Sequence, residues 1–333
     1  MPPSRSGSGR KAPKASQTKG STRSHGVKRG GGARRHPQAR TGTPNLPGVP
    51  LRAAPSTQRS RSLVTSASYS LEVGSREISA NRRRARAICA TGALGPAAIV
   101  GIGAGIGLGT IAAVVIAVVV FVGVAVGIWQ GASRLVVRLI HATPLAPGTA
   151  PMLTNMVDGL CPTFGVRVPS LMVIDDAVPN ACSFGRGSSH VRLVVTTGLL
   201  DRLGVIELEG VIGHELAHVK RHDTVVSAVA VAVLAPIVWV TGRDDWVHRA
   251  LGRGREYRAD EIAAAAVRYP PGLRDALAAM QNGPVPAPGS VFTGRSLAIT
   301  RWLWVDPSIG RRDQHRLGDL DASDVRIAVL DEW

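Results

Sequence analysis

His214-Glu215-Leu216-Ala217-His218 puts two histidines four residues apart, with a carboxylate directly after the first. The stretch around it, Val205 to Val219, keeps a helical spacing of apolar residues. On a helix, residues four apart share a face, with Cβ atoms about 5–6 Å apart. Both imidazoles can then reach one Zn2+ at about 2.0–2.1 Å. Glu215 projects about 100° round the helix from His214, beside the metal and not onto it. From there it can take a proton from a zinc-bound water, the general-base role of an H-E-x-x-H segment.

A catalytic zinc usually takes three protein ligands and keeps one position for water. Glu256-Tyr257-Arg258-Ala259-Asp260-Glu261, with the alanine-rich Ile262–Val267 behind it, is again helical in pattern. Glu256 and Asp260 share one face. Glu256 can ligate the metal, and Asp260 can accept a hydrogen bond from a ligand histidine and fix its tautomer. The bland alternative is a solvated charged face, because Arg255, Arg258 and Asp260 also make ordinary helix-surface pairs.

H-E-x-x-H at 214–218, E-x-x-x-D at 256–260, the segment Pro179-Asn180-Ala181-Cys182-Ser183-Phe184-Gly185 and the stretch Val194-Val195-Thr196-Thr197-Gly198-Leu199-Leu200 together resemble the HtpX-like membrane zinc metallopeptidases, relatives of the CAAX prenyl-protein endopeptidases. The resemblance covers roughly residues 147–268. It implies that His214, His218 and Glu256 bind zinc, that Glu215 is the base, and that Asp260 supports the ligands. It also implies that an edge strand, here Val191-Arg192-Leu193-Val194-Val195-Thr196, holds an extended peptide by β-addition, with Asn180 close by. Members of this family often carry a His-Pro-Pro-like element before an Arg-Ile pair. The nearest stretches here are Asp306-Pro307 and Arg326-Ile327. The histidine is missing, and Arg326 is the residue that this element would bring near the site.

The chain has 333 residues and a formal net charge of +17. Residues 1–89 hold 19 Lys and Arg against two acids, and the remainder holds 21 of each sign, so the excess belongs wholly to the N-terminal segment. That segment is rich in Gly, Ser and Pro and has almost no large apolar residue before Leu63. It cannot bury enough apolar surface to offset chain entropy, so residues 1–89 are expected to form a basic disordered tail. The charge suits anionic lipid head groups. No aromatic residue precedes Tyr69, so a base-stacking platform is missing and specific nucleic-acid binding is not expected. Cys89, Cys161 and Cys182 form neither a disulfide framework nor a C-x-x-C knuckle. Free thiols fit a reducing compartment.

From Ala90 to Ser133 there is no charged residue. The 40 residues from Ala90 to Trp129, as one helix, would span about 60 Å, twice a bilayer core of about 30 Å. Either two helices turn near Gly107-Leu108-Gly109, or a single helix spans from about Ile111 to Trp129. Arg82, Arg83, Arg84 and Arg86 precede the run, and Arg134 and Arg138 follow it. Positive residues at both ends favour two cytoplasmic ends and hence a hairpin. The glycines at 101, 103, 105, 107 and 109 give G-x-x-x-G pairs suited to close helix packing. A second apolar run, Thr224 to Val240, separates His218 from Glu256. A single crossing there would put the two on opposite sides of a membrane. Pro236 can break a helix, so a hairpin that dips into the membrane face or packs on the protein is expected. Relatives often place two spans in this region.

These readings predict an α+β, mostly helical, zincin-like metallopeptidase domain, with an H-E-x-x-H helix and a small sheet with an edge strand, on an N-terminal transmembrane helical hairpin. The segments are a tail at 1–89, a transmembrane segment at 90–133, and a zinc metallopeptidase domain at 134–333 with a membrane-associated apolar helix around 224–241. The expected function is that of a multi-pass cell-membrane zinc endopeptidase facing the cytoplasm, with one Zn2+ per chain. Its expected partners are polypeptides such as misfolded membrane proteins, and membrane lipids. A non-catalytic zinc scaffold, the same peptidase facing outside the cell, and a basic nucleic-acid-binding membrane protein, which rests only on the tail, are the rivals. Glu215 argues against the first, because a structural site needs no base.

Overall fold

The computed structural model describes residues 74–243, 247–307 and 321–333. Up to residue 73, the segment expected to be disordered lies outside the described residues. From there the chain is already helical, before the expected boundary at 89. Helix α1 (Gly74–Leu108) and helix α2 (Thr110–Leu139) are separated only by Gly109, whose φ of 83° lies in the left-handed region that glycine tolerates. The two fold back on each other: a Cβ on Gly101 would meet Ala117, and one on Gly105 would meet Ala113. This is the close packing that small residues allow. The first turns of α1 bury Asn81, Ala85, Ile88 and Cys89, a helical stripe facing the rest of the chain.

The chain continues through β1 (Thr143–Pro144), α3 (Pro151–Phe164), β2 (Ser170–Ile174), β3 (Ala181–Gly185), β4 (Val191–Thr196) and α4 (Thr197–Arg202). The sheet order is β1-β2-β4-β3. β2 runs parallel to β4, with Met172 opposite Val194. β3 runs antiparallel to β4, with Cys182 opposite Val194. Alternation sorts the side chains between two faces. Met172, Ile174, Cys182, Phe184 and Val194 enter one apolar cluster. Ala181, Leu193 and Val195 enter the other. Thr196 caps α4 by accepting a hydrogen bond from the Leu199 amide at 3.1 Å.

Helix α5 (Val205–Arg221) carries the two histidines, and α6 (Asp223–Thr241) follows at once. Between them His222 takes a left-handed φ of 60° and turns the chain sharply. Short α7 (Val247–Leu251), α8 (Arg255–Val267), α9 (Pro270–Gln281), α10 (Gly294–Thr300), a 3-10 turn at Arg301–Leu303 and α11 (Ser323–Glu332) complete the order. Helix α5 lies under the second sheet face, packed through Leu208, Val211, Ile212 and Leu216. Its Gly210 lets α9 approach closely, since a Cβ there would stand 2.6 Å from the Leu273 backbone nitrogen.

Helix α6 corrects one expectation: it runs unbroken through Pro236. A mid-helix proline removes one intrahelical bond and kinks more than it severs when packing holds both halves. Val225 to Val231 are buried against the first sheet face and α1. Among the described residues, three helices are long and apolar enough to cross a membrane: Ser75–Leu108, Thr110–Leu139 and Asp223–Thr241. The apolar window of the third is 61% buried within the protein, against none for the second. The third is therefore largely covered by its own chain.

Candidate active site

His214 and His218 leave α5 on one face, and Glu256 comes to them from the first turn of α8. His214 Nε2 lies 3.1 Å from His218 Nε2 and 3.1 Å from Glu256 Oε2, and His218 Nε2 lies 3.3 Å from Glu256 Oε2. The three atoms form a nearly equilateral triangle of donors. All three residues are buried.

The opposite edges of the imidazoles are held by carboxylates. His214 Nδ1 donates to Asp260 Oδ1 at 2.7 Å, and His218 Nδ1 donates to Asp223 Oδ2 at 3.0 Å. Each bond places the ring proton on Nδ1 and leaves the Nε2 lone pair aimed at the triangle. Glu256 Oε1 accepts from Arg255 Nη2 at 2.6 Å and from Nε at 2.9 Å, which turns Oε2 inward. Arg326 Nε and Nη2 donate to the two oxygens of Asp260 at 2.7 and 2.8 Å. Asp321 accepts from the Gly254 and Glu256 amides at 3.0 and 2.9 Å, capping the start of α8 and fixing Glu256.

Burial alone would raise the pKa of the acids. Arg255 and His218 overcome it at Glu256 and hold that carboxyl well below its ordinary range. Arg326 and His214 likewise outweigh burial at Asp260 and lower its pKa. At His218 burial favours the neutral ring, but Glu256, with Asp223, prevails and raises the pKa to about 9.

This donor set fits a divalent metal. Three ligands of a tetrahedral zinc at about 2.0–2.1 Å stand about 3.3 Å from one another, close to the separations found. With both Nδ1 hydrogens committed to Asp260 and Asp223, the two Nε2 atoms and Glu256 Oε2 are turned toward one point that a shared cation can occupy. Beside them, Glu215 Oε2 is buried and has no hydrogen-bond partner among the described residues. A buried carboxylate oxygen left this way calls for a ligand or a water.

The structure brings Arg326 to the site as the sequence suggested, fully buried and 4.0 Å from Glu256 Oε2. The strand Val191–Thr196 is a correction. It is not an edge but lies between β2 and β3, with its backbone paired on both sides. The sheet's edge nearest α5 is β3, where Ser183 Oγ donates to the Glu215 carbonyl at 3.4 Å. Strand order depends on which distant segment pairs beside β4, and local pattern cannot report that. Asn180 is also unavailable to a substrate. It is fully buried, its amide donates to the Asp306 carbonyl at 3.0 Å, and its side-chain oxygen accepts from the Ala181 amide at 2.9 Å. The β3 edge is partly taken as well: Cys182 bridges Trp304, and the Val305 amide donates to the Ala181 carbonyl at 3.0 Å. The Cys182 thiol is fully buried, its pKa raised by burial and then by Glu215. His190 is exposed, and His222 serves the turn after α5. Asp223, Arg255 and Asp321 were not foreseen. The one available signal was a carboxylate five residues after the second histidine.

A model of peptidase family M48 matches residues 147–315. A protease HtpX homolog of Tropheryma whipplei (strain Twist) is 31% identical over 188 residues, 46% of this chain and 65% of that protein. A homolog of the same name from Lactobacillus helveticus (strain DPC 4571) is 29% identical over 196 residues, 46% of this chain and 66% of that protein. One from Dictyoglomus thermophilum (strain ATCC 35947 / DSM 3960 / H-6-12) is 36% identical over 161 residues, 38% of this chain and 53% of that protein. The chain thus spans between about half and just under two thirds of the length of these curated relatives. No solved structure matches it. With a match over more than half of its residues, including both histidines, Glu215, Glu256 and Asp260, the chain belongs to peptidase family M48.

Proposed function

We propose that the protein is a membrane-anchored zinc metalloendopeptidase, with polypeptide substrates such as misfolded membrane proteins. The observation that carries the reading is the triangle of His214 Nε2, His218 Nε2 and Glu256 Oε2, 3.1–3.3 Å on a side, with the residue after His214, Glu215, holding a buried Oε2 that has no hydrogen-bond partner among the described residues. His214, His218 and Glu256 would hold the zinc, which would supply Lewis acidity toward a peptide carbonyl and a water. Glu215 accepts the water's proton and delivers it to the departing amine. Asp260 and Asp223 keep both imidazoles in the Nδ1–H tautomer. Arg255 holds Glu256 in its ligating orientation, and Arg326 balances the charge of buried Asp260. The peptide is taken up along the edge of β3 next to Ser183, by strand addition beyond the bridge to Trp304.

Helices α1 and α2 form the membrane hairpin in this reading. Its support is that both ends of the pair touch the same domain. Glu77 at the start of α1 pairs with Arg221 at 2.9 Å and Arg258 at 2.8 Å, and Ser133 near the end of α2 accepts from Arg192. A pair that leaves and returns to one domain crosses twice. The arginines at both ends support a cytoplasmic side for that domain.

The test is metal content together with cleavage of an unfolded membrane protein by the purified full chain in detergent. About one zinc per chain, and cleavage abolished by a chelator and by Glu215→Gln, is expected. A chain that purifies without zinc, or cleavage undiminished in Glu215→Gln, overturns the reading.

A further inference from the structure

Along the seam of α1 and α2 lies an open groove of about 350 Å3. Its walls include Cys89, Phe121, Val126 and Trp129, and Arg86 and Gln130 stand among them. This is the level at which the apolar stretch of α2 gives way to Gln130, Ser133 and Arg134, and at which that of α1 begins just after Arg86. In the membrane reading it is the boundary between acyl chains and head groups, where an amphipathic tryptophan is at home.

The same level gathers positive charge from three elements. Arg86 on α1 and Arg134 on α2 are exposed, and Arg134 lies one helical turn beyond Gln130 on the same face. Arg192 of β4 donates through Nη1 to Ser133 Oγ at 2.5 Å, beside Arg134. Arg186, at the β3–β4 turn, adds to it: after burial, Arg186 and Arg134 are the charges that lower the Arg192 pKa. None of these four arginines forms an ion pair with a carboxylate among the described residues. Arg134, Arg186 and Arg192 lie close enough to repel one another, Arg86 lines the groove at the same level of the helix pair, and an anion placed there relieves that repulsion.

We propose that the groove and its arginine collar bind one anionic phospholipid, an acyl chain against Phe121, Val126 and Trp129 and the phosphate at Arg86 and Arg134. The apolar slot excludes a bare phosphate as the occupant. The collar discriminates against a zwitterionic lipid, whose ammonium group would face guanidinium. The inference rests on the membrane reading of α1 and α2 but not on the chemistry at His214, His218 and Glu256. Occupied in this way, the site joins the helix pair to β4 through Arg192, so the lipid head group helps to seat the sheet on the membrane.

Two measurements on the full chain separate the readings. Alkaline extraction of membranes tests embedding alone, and release of the chain by alkali overturns the membrane reading. Native mass spectrometry in mild detergent then follows retention of phosphatidylglycerol, phosphatidylcholine and inorganic phosphate. Phosphatidylglycerol is expected to be retained about tenfold or more over phosphatidylcholine and not to be displaced by millimolar inorganic phosphate. The preference should fall to parity in the Arg86→Gln, Arg134→Gln double variant. Ala125→Phe, which fills the slot, should lose retention of phosphatidylglycerol while its thermal melting is kept. Equal retention of the two lipids, displacement by inorganic phosphate, or wild-type retention in either variant overturns the proposal.

Discussion

Asn81, on the first described helix, donates its side-chain amide to Oδ1 of Asp223, 142 residues away in sequence. Asp223 Oδ2 in turn takes the Nδ1 hydrogen of His218, and Asn81 also bonds the Arg221 carbonyl at the end of α5. The helix expected to enter the membrane is thereby tied to one of the three metal-facing donors. Groups that orient a ligand histidine typically contribute 10–100-fold to metal affinity. Asp223→Ala should weaken zinc binding by about that factor, and Asn81→Ala by a few-fold, as measured by competition with a chromogenic chelator. Affinity unchanged in Asp223→Ala would show that His218 is oriented by packing alone.

Removing only the base should separate binding from chemistry. Glu215→Gln keeps shape and burial but cannot take a proton. It should retain wild-type zinc stoichiometry while peptide hydrolysis falls by about 10²–10⁴-fold. His214→Ala should lose zinc and hydrolysis together. A metal-free Glu215→Gln protein would mean that Glu215 helps to hold the ion.

Arg326 is fully buried against Asp260. Breaking a buried pair from one side leaves an uncompensated charge, at a cost of about 3–5 kcal/mol. Arg326→Met should lower the melting temperature of the metal-loaded chain sharply, and Asp260→Asn added to it should recover part of the loss. No recovery in the double variant would assign the loss to the Val305 carbonyl, which Arg326 also bonds.

The motifs were legible because their logic is local. The four-residue spacing of His214 and His218, and of Glu256 and Asp260, fixes a shared helix face whatever the tertiary fold, and Val191–Thr196 could be named as a strand before its neighbours were known. The position of β4 was not legible, because an interior strand and an edge strand read alike until β2 closes beside it. Asp223 was hidden for another reason. Only the left-handed turn at His222 brings it back onto His218, and a residue after a helix end has no periodicity to announce its direction. Asp321 reaches α8 from 65 residues away, beyond any pattern. Pro236 misled because proline is a breaker in isolation, whereas the packing of α6 against the sheet and α1 sustains the helix.

Free of metal, His218 holds a proton up to about pH 9 because Glu256 and Asp223 outweigh burial. Its pKa in the unfolded chain is about 6.5. A raised native pKa stabilises fully below the unfolded value and loses that contribution as pH rises through the native one. The metal-free chain should therefore lose stability between about pH 6.5 and 9, read as a falling urea midpoint. Zinc must displace the same proton, so its affinity should rise about tenfold per pH unit over this window. Zinc affinity that is flat between pH 6.5 and 8.5 would contradict the protonated state of His218.

The helix pair makes a definite prediction about sidedness. Glu77 near the start of α1 and Ser133 near the end of α2 bind the same domain, so Ser75 and Val285 should lie on one side of the membrane and Gly107 on the other. All three positions are exposed, whereas Cys89, Cys161 and Cys182 are buried, so single cysteines introduced there should report against a low background. In sealed right-side-out vesicles an impermeant maleimide should label Gly107→Cys and miss Ser75→Cys and Val285→Cys. Inverted vesicles should reverse the pattern. A single crossing would instead expose Ser75→Cys and Val285→Cys to opposite faces, and the ion pairs of Glu77 with Arg221 and Arg258 could then not form. Labelling of Val285→Cys but not Ser75→Cys in right-side-out vesicles would therefore overturn both the hairpin and the contact between α1 and the metal-facing residues.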